Sequence, residues 1–201
     1  MKTDLLMTGV GGQGVILASD ALAEIAVRSG YDVKKSDSLG MSQRGGSVVS
    51  HVRLGDRVFS SLIKKGDADF LLAFERLEGA RWAGYLRPGG IAIVNDHAIP
   101  PLSTVGGAST YPTAEEVETI IKAYTDEVYF LPGTEMAAEL GNPQALNVLL
   151  VGFLSAFLEI KQSSYVDDLS QRVPAKFLEL NLAAFARGRE EGQTRKQSRH
   201  H

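Results

Sequence analysis

Apolar and polar positions along the chain follow two different periods, and the switches between them mark the elements. Leu5-Leu6-Met7 is a short apolar run that ends in glycine-rich sequence. After it, Val15, Ala18, Leu22, Ile25 and Ala26 recur at helical spacing until Ser29-Gly30. This predicts a strand, a glycine turn and a helix. Alternation over residues 31–35 predicts a second strand, completing one βαβ unit with a right-handed crossover.

The repetition then breaks, because residues 36–46 are polar and glycine-containing and predict a loop in place of an amphipathic helix. Two short β-type runs follow, 47–54 and 58–63. Gly55-Asp56-Arg57 between them predicts a hairpin. A purely parallel sheet has no place for such a hairpin, so the sheet is expected to be mixed. Apolar runs at 69–74 and 90–95 flank a helical segment, 75–86, closed by Pro88-Gly89-Gly90, which makes a second βαβ unit. Thr113 with Glu116 forms a capping box for a helix whose expected inner face is Val117, Ile120, Ile121 and Tyr124. Residues 128–131 predict a further strand, and helices follow at 145–160 and 176–187.

No repeat or low-complexity linker divides these segments. The expectation is one domain over residues 1–188, then a polar, charged and aperiodic tail, 189–201, whose terminal His200-His201 reads as tag-derived. The expected fold class is α/β: a three-layer, Rossmann-like fold with a mixed, mostly parallel sheet, an antiparallel hairpin and a helical C-terminal part.

Composition narrows the chemistry. Of 201 residues, 44% are apolar and 22% charged, enough for a substantial core, and none is cysteine. Disulfides, thiolate nucleophiles, Cys-ligated zinc and iron–sulfur clusters held by this chain are thereby excluded. A net charge of -3 argues against a nucleic-acid partner, which calls for a basic face. Met1-Lys2-Thr3-Asp4 leads into no secretory signal, so a cytoplasmic location is expected. The stretch 145–160 carries only Glu159 as a charge, yet it is shorter than the about 20 residues of a membrane span and contains Asn147 and Ser155. It reads as a buried or subunit-facing helix.

Two glycine-rich stretches are the candidate binding elements. Gly9-Val10-Gly11-Gly12-Gln13-Gly14 has G-x-G-x-x-G spacing, directly after a strand and opening a helix. Glycines there permit a tight turn and close backbone approach, and the helix N-terminus favours phosphate. The second, Gly40-Met41-Ser42-Gln43-Arg44-Gly45-Gly46-Ser47, surrounds one guanidinium fork with glycines that let backbone donors face the same anion. Both are expected at one edge of the sheet, where ligands of open α/β sheets collect. A tight turn and a solvated loop are the alternatives.

Other chemistries fail on spacing. A nicotinamide site needs an acidic residue at the end of the second strand; Asp32 comes too early and Asp37 follows Lys34-Lys35. There is no Gly-Lys-Ser/Thr ending for a nucleotide-hydrolysing loop, and Arg44 stands where a serine nucleophile elbow needs glycine. His51 and His97 lack partner patterns and read as structural or solvated, and no His/Asp/Glu cluster has metal-ligand spacing. Asn95, Pro132-Gly133-Thr134, Asn147 and Glu75 read as caps or turns as readily as ligand contacts.

Taken together, the early glycine turn and Asp37-Ser-Leu-Gly-Met-Ser-Gln-Arg-Gly-Gly-Ser47 resemble the gamma domain of 2-oxoacid:ferredoxin oxidoreductases. The nearest likeness is to the beta subunit of indolepyruvate:ferredoxin oxidoreductase, where Ser-Gln-Arg-Gly-Gly precedes a Ser-His-Val-Arg strand, here Ser50-His51-Val52-Arg53. The resemblance continues through Gly66-Asp-Ala-Asp-Phe-Leu-Leu-Ala-Phe-Glu75, Gly89-Gly90-Ile-Ala-Ile-Val-Asn95 and Asn142-Pro143-Gln-Ala-Leu-Asn147, covering nearly all of residues 1–188.

That resemblance implies a non-redox subunit, inactive alone. Its large partner would carry thiamine diphosphate and the iron–sulfur clusters. The complex would convert an aryl 2-oxoacid and coenzyme A to acyl-CoA, carbon dioxide and reduced ferredoxin. It makes Gly9, Gly11, Gly12, Gln13, Gly14, Ser42, Gln43, Arg44, Gly45 and Gly46 candidate contacts to coenzyme A, with Arg44 the principal anion contact and no catalytic residue or metal on this chain. The alternatives are the gamma subunit of a 2-oxoglutarate, ketoisovalerate or pyruvate enzyme, a free-standing NAD(P)-binding enzyme, and a purely structural subunit.

Overall fold

The computed structural model describes residues 2–40, 46–101 and 110–199. Six strands form one sheet: β1 (Lys2–Val10), β2 (Asp32–Leu39), β3 (Ser47–Gly55), β4 (Ala68–Ala73), β5 (Leu86–Asn95) and β6 (Val128–Leu131), in the order β2-β3-β1-β4-β5-β6. The described helices are α1 (Val15–Arg28), α2 (Arg76–Trp82), α3 (Ala114–Lys122), α4 (Gly133–Glu139), α5 (Leu146–Ser155), α6 (Gln162–Arg172) and α7 (Ala175–Ser198). β1, β4, β5 and β6 run parallel, and β3 is antiparallel to both of its neighbours, β1 and β2.

The period-2 alternation of the central strands feeds two cores. Leu5 and Met7 of β1, Leu72 of β4 and Ile93 of β5 point to the face covered by α1, α5, α6 and α7; Leu6, Leu71 and Val94 point to the face covered by α2 and α3. The expected three-layer α/β architecture is therefore present, and α5 is the buried helix that the uncharged stretch predicted, with Leu149, Leu150, Phe153 and Leu154 fully buried.

Several expectations need correction. Residues 58–63 form no strand, because β3 already has β2 on one edge and β1 on the other. With no edge left to pair, that segment's backbone is held by side chains: Val58 N–H donates to Asp32 Oδ2, Ile63 N–H donates to His51 Nδ1, and Arg53 Nη1 donates to the Ser60 and Leu62 carbonyls. The antiparallel partners of β3 are instead β1 and β2, and β2 runs to Leu39 through sequence expected to be loop. β3 also lies between β1 and β2, so the first βαβ unit does not join neighbouring strands. Composition explains the insertion: β3 (SVVSHVRLG) is almost wholly buried, whereas β2 (DVKKSDSL) is polar enough for an exposed edge.

Of the expected inner face only Val117 and Ile121 are buried; Ile120 and Tyr124 are 42% and 49% exposed, because α3 packs mainly against α2 and the turn at Ala83–Tyr85, which cover one narrow stripe of it. The turn at Pro132-Gly133-Thr134 opens α4, and α6 occupies a stretch for which no helix was expected. The tail expected after residue 188 continues α7 to Ser198. Gly188 and Gly192 face α5 so closely that a Cβ at Gly188 would fall on the Leu149 carbonyl oxygen. Arg195 Nη1 and Arg199 Nη2 then donate to the Phe130 and Val128 carbonyls of edge strand β6. His200 and His201 lie outside the described residues.

Candidate functional site

The chain's crevice lies where the parallel strands end. β1 leads to the glycine turn, β4 to Glu75, β5 to Asn95 and His97, and β6 to Thr134. Because α1 leads from β1 toward β2 while α2 leads from β4 toward β5, the β1/β4 boundary is the switch point at which such sheets open a crevice. A cavity of about 460 Å³ occupies it, lined by Gly12, Gln13, Gly14, His97, Thr134 and Asn147 among others.

The glycine turn owes its shape to positions that only glycine fills without cost. Gly12 and Gly14 have φ of 103° and 82°, and a Cβ on Gly9 would lie 2.8 Å from both Phe74 Cβ and Val15 Cγ2. Gln13 locks the turn from inside: its Oε1 accepts from Val10 N–H at 2.8 Å, and its Nε2 donates to the Phe74 carbonyl at 2.8 Å. Among the described residues no side chain caps α1, which leaves its first-turn amides available to a ligand at the crevice.

The second candidate loop is tied to the first. Gly11 N–H donates to the Gly46 carbonyl at 2.9 Å, and Gly40 N–H donates to the Ser47 carbonyl at 2.8 Å. Ser47 Oγ also bonds to Glu78, a buried carboxylate on α2 whose other oxygen accepts from Arg81 Nη1 at 2.9 Å. Ser42, Gln43, Arg44 and Gly45 lie outside the described residues, while Gly46 closes the loop against Gly11.

The family model described as pyruvate ferredoxin/flavodoxin oxidoreductase matches residues 4–191. The chain belongs to this family. It is 35% identical over 188 residues to the indolepyruvate oxidoreductase subunit IorB of Thermococcus kodakarensis, covering 92% of this chain and 93% of that one. The crystal structure of a keto/oxoacid ferredoxin oxidoreductase gamma subunit from Geobacter sulfurreducens superposes with a TM-score of 0.71 at 25% identity, covering 96% and 99% of the two chains. A 2-oxoglutarate:ferredoxin oxidoreductase from Magnetococcus marinus, solved with 2-oxoglutarate, coenzyme A and succinyl-CoA bound, shares the fold with a TM-score of 0.74 at 20% identity, over 96% of this chain and 31% of that one. The chain is thus a small subunit of the 2-oxoacid:ferredoxin oxidoreductases.

Within this oxidoreductase subunit, the crevice uses residues that the sequence marked weakly. Asn95 is fully buried; its Nδ2 donates to the Phe74 carbonyl and to Thr134 Oγ1, and its Oδ1 accepts from Thr134 N–H. It therefore positions Thr134 at the crevice wall. Asn147, at the start of α5, lies against Gly14, where a Cβ would come within 3.0 Å of its Nδ2. Glu75 caps α2 through Glu78 N–H and accepts from Ile99 N–H and the Tyr111 hydroxyl, which holds the His97–Ile99 segment in place. Burial, with the Glu75 carboxylate beside it, pushes the Tyr111 hydroxyl well above the usual phenol range. The signal for these residues was their place at strand ends, not any motif.

The histidines separate. His97 lines the crevice, whereas His51 is buried on β3, accepts from Ile63 N–H at 3.2 Å and meets Tyr85 edge-on at 5.9 Å. Asp37 accepts from Ser50 Oγ at 2.7 Å and pairs with Lys35. With β3 intervening, β2 is about 9–10 Å from β1, so Asp37 is not beside the glycine turn as a ribose-binding acid would be. Among the described residues no group of three or more His, Asp or Glu could hold a metal ion, and no helix is long and apolar enough to cross a membrane.

Proposed function

We propose that this small subunit closes the active site of an indolepyruvate:ferredoxin oxidoreductase and receives coenzyme A at the crevice, with Arg44 as the principal anion contact. The reading is carried by the bond from Gly11 N–H to the Gly46 carbonyl, which ties the arginine loop to the glycine turn. The described crevice lining contains no lysine or arginine, so an arginine brought in by the adjoining loop would complete an anion site. Coenzyme A in the Magnetococcus enzyme and the substrate in the name of the Thermococcus relative support the ligand and the 2-oxoacid.

The partner subunit is the proposed holder of thiamine diphosphate and the iron–sulfur clusters, since this chain has no cysteine to ligate iron. Thiamine diphosphate supplies the carbanion chemistry that releases carbon dioxide. This chain's glycine turn, uncapped α1 and Thr134 would orient the phosphates of coenzyme A, while Asn95 and Gln13 keep those groups in place.

The test is co-expression with the large subunit and an assay of aryl-acyl-CoA formation. Arg44→Ala should remove one charge-assisted contact, about 1.5–3 kcal/mol, and raise the KM for coenzyme A while leaving that for the 2-oxoacid unchanged. An unchanged coenzyme A KM overturns the role of Arg44. Turnover of pyruvate or 2-oxoglutarate in preference to indolepyruvate overturns the substrate assignment.

A further inference from the structure

Away from the crevice, a cleft of about 220 Å³ lies between α1, α5, α6 and α7. Ile25, Val151 and Leu169 form its walls, and its buried end is Tyr165, stacked on Phe185 with ring centroids 5.2 Å apart and planes at 26°. Asn147 and Asn181, both partly exposed, supply its amide groups. Asn181 Nδ2 donates to the Phe177 carbonyl, and its Oδ1 has no partner among the described residues.

The charged lining residues are internally matched. Buried Asp168 pairs with Arg172 at 3.1 Å and Arg28 at 3.4 Å, and Arg172 also pairs with Glu24 at 2.6 Å. Two acids therefore face two arginines, leaving no net charge for an ionic ligand. These same pairs, with Arg28 Nη1 on Gln171 Oε1, fasten α6 over α1 and roof the cleft.

We propose that this cleft is a second binding site, taking an uncharged, ring-sized small molecule with one hydrogen-bonding group. An apolar cavity of about 150 Å³ suffices for benzene, so this one accommodates a substituted six-membered ring. The ring would lie against the accessible part of the lining, Leu17, Ala21, Val148 and Pro174, beside the closed Tyr165–Phe185 stack, and its polar group would reach Asn181 Oδ1. Ile25, Val151, Tyr165 and Asn181 do not line the strand-end crevice, so the site is independent of the coenzyme A reading. Asn147 and Leu17 are the wall shared by the two cavities.

The full chain, titrated with p-cresol and with toluene and followed by methyl NMR, tests this directly. Both should bind saturably, p-cresol more tightly, with shifts concentrated at the Ile25, Val151 and Leu169 methyls. Ala21→Leu, filling the cleft from α1, and Val151→Phe, filling it from α5, should abolish binding; the first decides the matter if the second disturbs folding. Asn181→Leu should weaken p-cresol about 2- to 12-fold, the loss of one hydrogen bond, without weakening toluene. No saturable binding by either probe, or shifts confined to residues outside the cleft, overturns the proposal.

Discussion

Gln13 and Asn95 donate to one acceptor: Gln13 Nε2 at 2.8 Å and Asn95 Nδ2 at 3.0 Å both end on the Phe74 carbonyl. The glycine turn after β1 and the end of β5 are thereby fastened to the last peptide of β4. Gln13→Ala removes this tie and leaves Val10 N–H without its acceptor, which should cost about 1–3 kcal/mol by urea unfolding. Gln13→Glu keeps the acceptor for Val10 but sets a carboxylate against the Phe74 carbonyl, so it should be the less stable of the two.

Gly12 and Gly14 both adopt left-handed φ, yet they differ in what surrounds them. No described atom lies within 4 Å of a Cβ at Gly12, so Gly12→Ala should lose only the backbone term, about 1–3 kcal/mol. At Gly14 the same methyl meets Asn147, so Gly14→Ala should be further destabilised and should displace the Asn147 side chain. Thermal unfolding of both variants checks the order, and equal melting temperatures would refute it.

His51 makes the fold sensitive to mild acid. Burial pushes its pKa below the ordinary value, and its Nδ1 can accept from Ile63 N–H only while unprotonated. The folded pKa lies below the unfolded one, so the contribution is fully present above about pH 6.5 and is lost as pH falls through the lower folded value. His51→Asn keeps an acceptor and removes the titration; urea midpoints for this variant should change less between pH 7 and 5 than those of the parent.

Truncation after Gly188 tests the last helical turns of α7. It deletes Gly192 and the Arg189 bonds to Ser155 at 2.8 Å, and it frees the Val128 and Phe130 carbonyls of β6. The truncated chain should be less stable and should self-associate through the uncovered edge, measured by sedimentation velocity. In the full chain, the double variant Arg195→Ala/Arg199→Ala should reproduce the self-association with a smaller loss of stability.

The legible parts of the sequence were those whose partner is close along the chain. The α1 stripe at Val15, Ala18, Leu22, Ile25 and Ala26, the Thr113–Glu116 capping box and the glycine turn each encode their geometry within a few residues, and each is present. Gly11 and Gly46, far apart along the chain, are joined by one backbone hydrogen bond. Crevice residues such as Thr134 and Asn95 carry a local signature no stronger than that of any turn or cap. They become site residues because strands far apart in sequence end together.

By itself the sequence determined the alternation of strand and helix, the family, and the absence of any thiolate that could hold a cluster, because periodicity and composition are local or additive properties. Only the tertiary structure decided which strand lies beside which. Residues 58–63 have a strand's composition, but β3 was already paired on both edges, and hydrogen bonding saturates. In the same way, residues 189–198 look like solvated tail until Gly188 and Gly192 let α7 close on α5, a contact set by shape across the core. Gln13 finds Phe74 across 61 positions, a distance at which a local pattern carries no information.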